Sequence, residues 1–175
     1  MTMTPRLRKF ALTAHITSSV GWLGAVAGFL ALAVAGLTSQ DALMVRAAYI
    51  AMELTGWFVI LPLSLASLLS GLVQSLGTTW GLFRHYWVLA KLLITVVATI
   101  VLLLHMQPVS RMAGIVAETT LSSADLRGLR IQLVADAGAA LLALLVTTTL
   151  SVYKPRGMTG YGRRMPREQR SVSQP

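Results

Sequence analysis

The chain has 175 residues, of which 55% are hydrophobic and only 12% are charged. A soluble domain usually carries about 25% charged residues, so this composition predicts a membrane protein. The chain has no cysteine, which excludes disulfides, thiolate metal sites and thiol catalysis. The net charge of +9 is concentrated near the two ends of the chain, which indicates contacts with anionic lipid headgroups rather than with nucleic acid.

The chain begins with a short basic lead over residues 1–9, followed by an apolar run over about 10–37. About 20 apolar residues cross a bilayer, so this run predicts a first membrane span. A signal peptide is the competing interpretation, because residues 6–9 resemble its basic region and residues 33–35 its cleavage site. The apolar region of a signal peptide is normally about 7–15 residues long. The longer run, with His15 inside it, favours a retained span.

Three further apolar runs predict spans, over about 47–78, 86–106 and 131–152. The second run contains Pro62, which predicts a kink. It also contains small residues at the spacing that lets membrane helices approach closely, namely Ser64, Ser67, Gly71 and Ser75. Aromatic residues between the second and third runs indicate a membrane–water interface.

Polar sequence separates and follows the last two spans. The connection predicted over 107–131 is the longest in the chain, and Ser122 and Ser123 within it predict a helix N-cap. The tail over 153–175 is rich in Arg, Gly, Pro and Ser, a composition typical of disorder.

Four spans joined mostly by short connections predict an all-α integral membrane protein, folded as an up-and-down four-helix bundle. Lys and Arg are more numerous on the side that carries both termini. The positive-inside rule therefore predicts a multi-pass protein of a bacterial inner membrane with both termini cytoplasmic. The lipid bilayer is the predicted partner, and the sequence leaves open a homo-oligomer or a partner in a membrane complex.

Five ionisable residues fall inside the predicted spans, where they are costly and usually face the bundle interior, a partner or water: His15, Glu53, Lys91, His105 and Asp136. Topology places them at two depths. The inner layer consists of His15 and Lys91, and the outer layer consists of Glu53, His105 and Asp136. Lys91 and His105 are fourteen residues apart, or about 20 Å along a helix, so His15 and His105 cannot ligate one haem iron or one metal ion.

Each layer has a functional and a structural interpretation. The outer layer is a mixed nitrogen and oxygen set that could suit zinc or copper. Alternatively, its two carboxylates pair near the headgroups with Arg46 or Arg130. In the inner layer, His15 shares a helix face with Trp22, seven residues later. A haem at that depth would use His15 with Lys91, whereas the structural alternatives are an interhelical hydrogen bond and a snorkelling lysine.

The pattern His15-x6-Trp22-x-Gly24, after a short basic lead, resembles the first helix of a group of small membrane proteins. The group includes the HemJ-type protoporphyrinogen oxidases and the copper-resistance D (CopD-like) proteins. Trp87-x3-Lys91 resembles the lysine-bearing helix of the HemJ type. The resemblance implies a four-helix bundle with haem b bound through His15 and Lys91. The start of the tail is similar instead to the ending of uncharacterised actinobacterial membrane proteins.

Three functions follow as hypotheses. The first is a haem-binding or redox-associated membrane protein that uses the inner layer. The second is a metal or small-solute transport protein that uses the outer layer, and the third is an accessory subunit whose polar residues only hold the helices together. The sequence has no nucleophile–base constellation, P-loop or dinucleotide fingerprint, so it does not decide whether the protein is an enzyme.

Overall fold

A computed structural model of the chain describes residues 3–77, 86–118 and 124–153. The described residues form helices and no strand, which confirms the all-α prediction. The elements are α1 (Pro5–Thr38), α2 (Ala42–Thr55), a π-helical turn (Gly56–Ile60), α3 (Leu61–Gly77), α4 (Tyr86–Glu118) and α5 (Ala124–Tyr153).

The first two helices begin at residues suited to helix starts. Pro5 opens α1, where its missing N–H is not needed. Asp41 caps α2, because its Oδ1 accepts a hydrogen bond of 2.9 Å from the backbone N–H of Leu43. The second span was predicted to start near residue 47, and this cap is the reason that the helix begins five residues earlier, at Ala42.

The second span is one continuous helical crossing made of α2, the π-helical turn and α3. The N–H of Leu61 donates to the carbonyl of Gly56, five residues earlier, and Pro62 follows directly. Pro62 cannot donate to a carbonyl in the preceding turn, so the regular hydrogen-bond pattern is interrupted there. The disturbance predicted at Pro62 is therefore present as a wide turn immediately before it.

The prediction of a long polar connection over 107–131 is wrong. Helix α4 continues through Pro108 to Glu118, which shortens the connection. Helix α5 begins at Ala124, directly after the serines that predict a helix start. Val109 and Met112 are fully buried in the extension of α4, so their packing compensates for the hydrogen bond that Pro108 removes. The N-cap predicted at Ser122 and Ser123 lies outside the described residues, as do the aromatic connection over 78–85 and the tail over 154–175.

The helices form an up-and-down bundle in which neighbouring spans are antiparallel. Helix α1 packs against α2, α3 and α5, and helix α4 packs against the same three helices. Within the described ranges, four helical segments are long and apolar enough to cross a membrane, over Pro5–Thr38, Ala42–Leu76, Tyr86–Gly114 and Arg127–Tyr153. The outward surface is rich in large apolar side chains, such as Phe10, Phe58 and Leu104. Such a surface indicates a lipid bilayer around the bundle.

Two clusters of buried side chains form the interior. The first contains Tyr49, Met52, Met106, Met112 and Leu133 and lies towards the end of the bundle that carries the α1–α2 connection. The second contains Trp22, Val26, Ile60 and Leu144 and lies nearer the end that carries Pro5 and Tyr153. The predicted assignment of that second end to the cytoplasm stays a prediction.

Candidate functional site

His15 is held on α1 by the end of α3. Its Nδ1 lies 3.1 Å from the carbonyl oxygen of Ser67 and 3.1 Å from Oγ of Ser70. A carbonyl oxygen can only accept, so Nδ1 carries the proton and donates it. The other ring nitrogen, Nε2, has no hydrogen-bond partner among the described residues, and in the neutral ring it offers a lone pair.

Small and polar residues bring α1 and α3 close together at this depth. A Cβ atom on Gly71 would lie 3.1 Å from Cε1 of His15, so the missing side chain at Gly71 leaves room for the imidazole against α3. Ser19 and Ser67 share a hydroxyl hydrogen bond of 2.8 Å. Nearer the helix ends, Gln74 donates to the carbonyl of Ala11 over 2.8 Å. The close approach predicted from the small residues of the second span is confirmed at Gly71.

A polar cavity of about 50 Å³ lies between α1, α3, α4 and α5. We call it the inner pocket; its lining residues are His15, Ser19, Trp22, Ser67, Lys91, Thr95, Leu144, Thr147, Thr148 and Ser151. The three residues predicted for the inner site, His15, Trp22 and Lys91, are thus brought together. The ammonium group of Lys91 also lies 5.9 Å from the ring centroid of Trp87, a cation–π distance, and interacts electrostatically with His15.

The inner pocket offers mainly hydrogen-bond acceptors. Four of its hydroxyls donate their protons to helix carbonyls three or four residues earlier, namely those of Thr95, Thr147, Thr148 and Ser151. Their lone pairs remain available, and Nε2 of His15 adds another. Lys91 is the cationic donor of the pocket, and no carboxylate of the described residues lines it.

Most of the hydroxyl lining was not anticipated from the sequence. Thr95 lies four residues after Lys91, and Ser151 lies four residues after Thr147. Residues at this spacing share a helix face, so the pattern was present in the chain. It could not be distinguished from ordinary serine and threonine in apolar helices until the facing helices were placed.

The inner pocket does not fit an enclosed haem. Ligand and cofactor sites generally occupy about 300–1,000 Å³, several times the volume of about 50 Å³ found here. The space is instead sufficient for a few water molecules, since each needs about 10–15 Å³ on this scale. The inner pocket therefore has no room for a haem between the four helices.

The outer layer consists of a pair rather than the predicted triad. Nε2 of His105 on α4 and Oδ2 of Asp136 on α5 are hydrogen-bonded to each other, and both side chains are partly buried. Among the described residues, no three His, Cys, Asp or Glu side chains are grouped to hold a metal ion, so Glu53 does not join the pair. Arg46 or Arg130 was the expected partner of Asp136, but its partner in the structure is His105.

The rotation of α4 about its own axis explains why Glu53 is not part of the pair of His105 and Asp136. The face of α4 that meets the second span carries Met106, whose Sδ lies close to the backbone of Gly56. His105 precedes Met106 by one residue, or about 100° around the helix, and this rotation turns it towards α5. His105 is therefore turned away from the interface between α4 and the second span, which carries Glu53.

The two polar layers are well separated. Helix α4 is continuous from Tyr86 to Glu118, so the fourteen residues between Lys91 and His105 correspond to about 20 Å. The side chains of Val26, Ile60 and their cluster are buried in the bundle interior. A single ligand of a few atoms cannot contact both layers.

Comparisons with family models, with curated proteins and with solved structures found no match. The described residues themselves define the class, which is an all-α bundle of membrane-spanning length with a polar pocket near one end. A histidine–aspartate pair, His105 with Asp136, lies nearer the other end.

Proposed function

We propose that this chain conducts protons across the membrane and that the inner pocket is where it takes them up and releases them. The observation that carries the proposal is the shared cavity of His15 and Lys91 within membrane-spanning helices. Ionisable residues are costly in the hydrocarbon region, and where they meet in a cavity they often form proton relays.

The chemistry of the pocket favours protons and water over other small ligands. Lys91 repels metal cations, and no carboxylate among the described lining residues compensates for its charge. The hydroxyl lone pairs and Nε2 of His15 are acceptors, which suit a ligand that donates hydrogen bonds rather than an anion. Water satisfies both requirements, since it can donate to these acceptors and accept from Lys91.

The two ionisable groups have complementary roles in this mechanism. Nδ1 of His15 keeps its proton, which it donates to the carbonyl oxygen of Ser67. A proton from pocket water is therefore received at Nε2. Lys91 holds its proton on Nζ, near Trp87. Two positive charges in one small cavity repel each other, so His15 and Lys91 exchange protons with the pocket water as an interacting pair.

Proton flux into vesicles tests this proposal. Protein reconstituted in liposomes with pyranine inside should conduct protons when valinomycin sets a potassium diffusion potential. We expect His15→Ala and Lys91→Met each to lower the flux by about tenfold, as for the loss of a relay group. Lys9→Met is the matched control, because Lys9 is an exposed basic residue near the same end of the bundle.

Two outcomes contradict the proposal. One is a flux no greater than that of protein-free vesicles, and the other is an undiminished flux in both pocket variants. Absence of flux, together with a loss of stability in His15→Ala, would favour the accessory-subunit hypothesis, in which these residues only hold α1 against α3.

A second candidate, a redox role, is favoured by the orientation of the His15 ring alone, whereas the size of the inner pocket opposes an enclosed haem. A histidine that donates from Nδ1 to a backbone carbonyl presents Nε2 as histidine ligands of metals do. From the cavity size we expect the purified protein to be colourless, also after addition of haemin. A Soret band that His15→Ala weakens would contradict this prediction and support the haem hypothesis.

A further inference from the structure

Tyr49 is the most unusual buried polar residue near the α1–α2 connection. Its side chain is 1% exposed, yet its hydroxyl has no hydrogen-bond partner among the described residues. The ring lies directly against α1, where a Cβ atom on Gly36 would come within 2.7 Å of Cζ. Buried hydroxyls nearly always have a partner, so this group indicates an acceptor that the described protein atoms do not supply.

Arg130 lies beside Tyr49 and presents a second unsatisfied donor. Its guanidinium carbon is 5.8 Å from the centroid of the Tyr49 ring. Its Nε is buried and, like the hydroxyl of Tyr49, has no hydrogen-bond partner among the described residues. Both atoms can donate, so two neighbouring side chains each have a donor without an oxygen acceptor.

Position along the helices restricts the kind of ligand. Arg130 lies three residues inside the fourth span, which begins at Arg127, and Tyr49 lies in the second turn of α2. Both residues are therefore near the boundary between hydrocarbon and headgroups, where lipid phosphates are located. Guanidinium groups are well suited to phosphate oxygens, because their N–H groups form a fixed fork.

We propose that Tyr49 and Arg130 form an oxyanion site that binds a phosphate group near the membrane surface. The phosphate belongs either to a lipid headgroup or to free inorganic phosphate. This site is separate from the inner pocket and does not depend on the proposed proton conduction. Binding places phosphate oxygens against the guanidinium of Arg130, with the hydroxyl of Tyr49 as the second donor.

Thermal unfolding in a phosphate-free maltoside detergent tests the site, with fluorescence of the four tryptophans as the signal. The probes are dioctanoyl phosphatidylglycerol, dioctanoylglycerol, which lacks the phosphate, and inorganic phosphate. We expect phosphatidylglycerol to raise the unfolding temperature and dioctanoylglycerol to have no such effect. Protection by inorganic phosphate as well would assign a free oxyanion as ligand, and protection by the lipid alone would assign a headgroup.

The variants test the two donors separately. Tyr49→Phe should raise the apparent Kd for the protective probe by about tenfold, which is the usual effect of losing one hydrogen bond to a charged group. Arg130→Gln should abolish protection, whereas Arg127→Gln is the matched control on the exposed face one turn earlier. Lack of protection in the wild type, equal protection by dioctanoylglycerol, or full protection in Tyr49→Phe would each overturn the proposal. Tyr49→Phe keeps the test decisive even where Arg130→Gln does not fold.

Discussion

Replacing Asp136 with alanine should destabilise the bundle by about 1–3 kcal/mol, because Nε2 of His105 loses its hydrogen-bonded partner between α4 and α5. A polar ring left without a partner in a membrane-spanning helix bears a desolvation cost that lipid cannot compensate. The loss is measured as the shift of reversible unfolding in mixed micelles of maltoside and dodecyl sulfate. Gln132→Ala, an exposed change one turn earlier on α5, should alter stability by less than about 0.5 kcal/mol.

The double variant His105→Leu with Asp136→Leu separates the pair interaction from simple packing. Replacing both partners with apolar side chains removes the two polar groups together, so we expect stability within about 1 kcal/mol of the wild type. A double variant as unstable as Asp136→Ala would show that packing, and not the unpaired histidine, causes the loss. An Asp136→Ala protein as stable as the Gln132→Ala control would show that the hydrogen bond between His105 and Asp136 does not stabilise the bundle.

Gly36→Ala should lower stability by about 1–3 kcal/mol through overpacking against Tyr49. The added Cβ would lie 2.7 Å from Cζ, 2.9 Å from Cε2 and 3.0 Å from the hydroxyl oxygen of Tyr49. These atoms belong to a rigid ring that is itself fully buried, so neither the ring nor the α1 backbone can move away at low cost.

Two other glycines serve as controls for this prediction in the same unfolding measurement. A Cβ atom on Gly28 of α1 would meet no neighbouring side chain within 4 Å, so Gly28→Ala should gain up to about 1 kcal/mol from helix propensity. At Gly56 the close contact is the flexible end of Met106, so Gly56→Ala should cost less than Gly36→Ala. Equal effects at Gly36 and Gly28 would contradict the close packing of Tyr49 on α1.

The number and approximate position of the spans could be predicted because hydrocarbon thickness sets the length of an apolar run. The ends of the helices could not. The cap formed by Asp41 starts α2 earlier in the chain than predicted. Packing of Val109 and Met112 continues α4 past Pro108, into sequence whose polarity indicates a loop. Local capping and burial outweigh average polarity at such boundaries.

The depth of each ionisable residue could be predicted from the chain alone, because position along a membrane helix converts directly into distance across the bilayer. This sufficed to place His15 with Lys91 and to separate both from His105. The interface that each residue faces could not be predicted, because it depends on how each helix is rotated against its neighbours in the folded bundle. The rotation of α4 brings His105 to Asp136 and leaves Glu53 apart. The rotation of α5 places its hydroxyl side chains in the same pocket as His15.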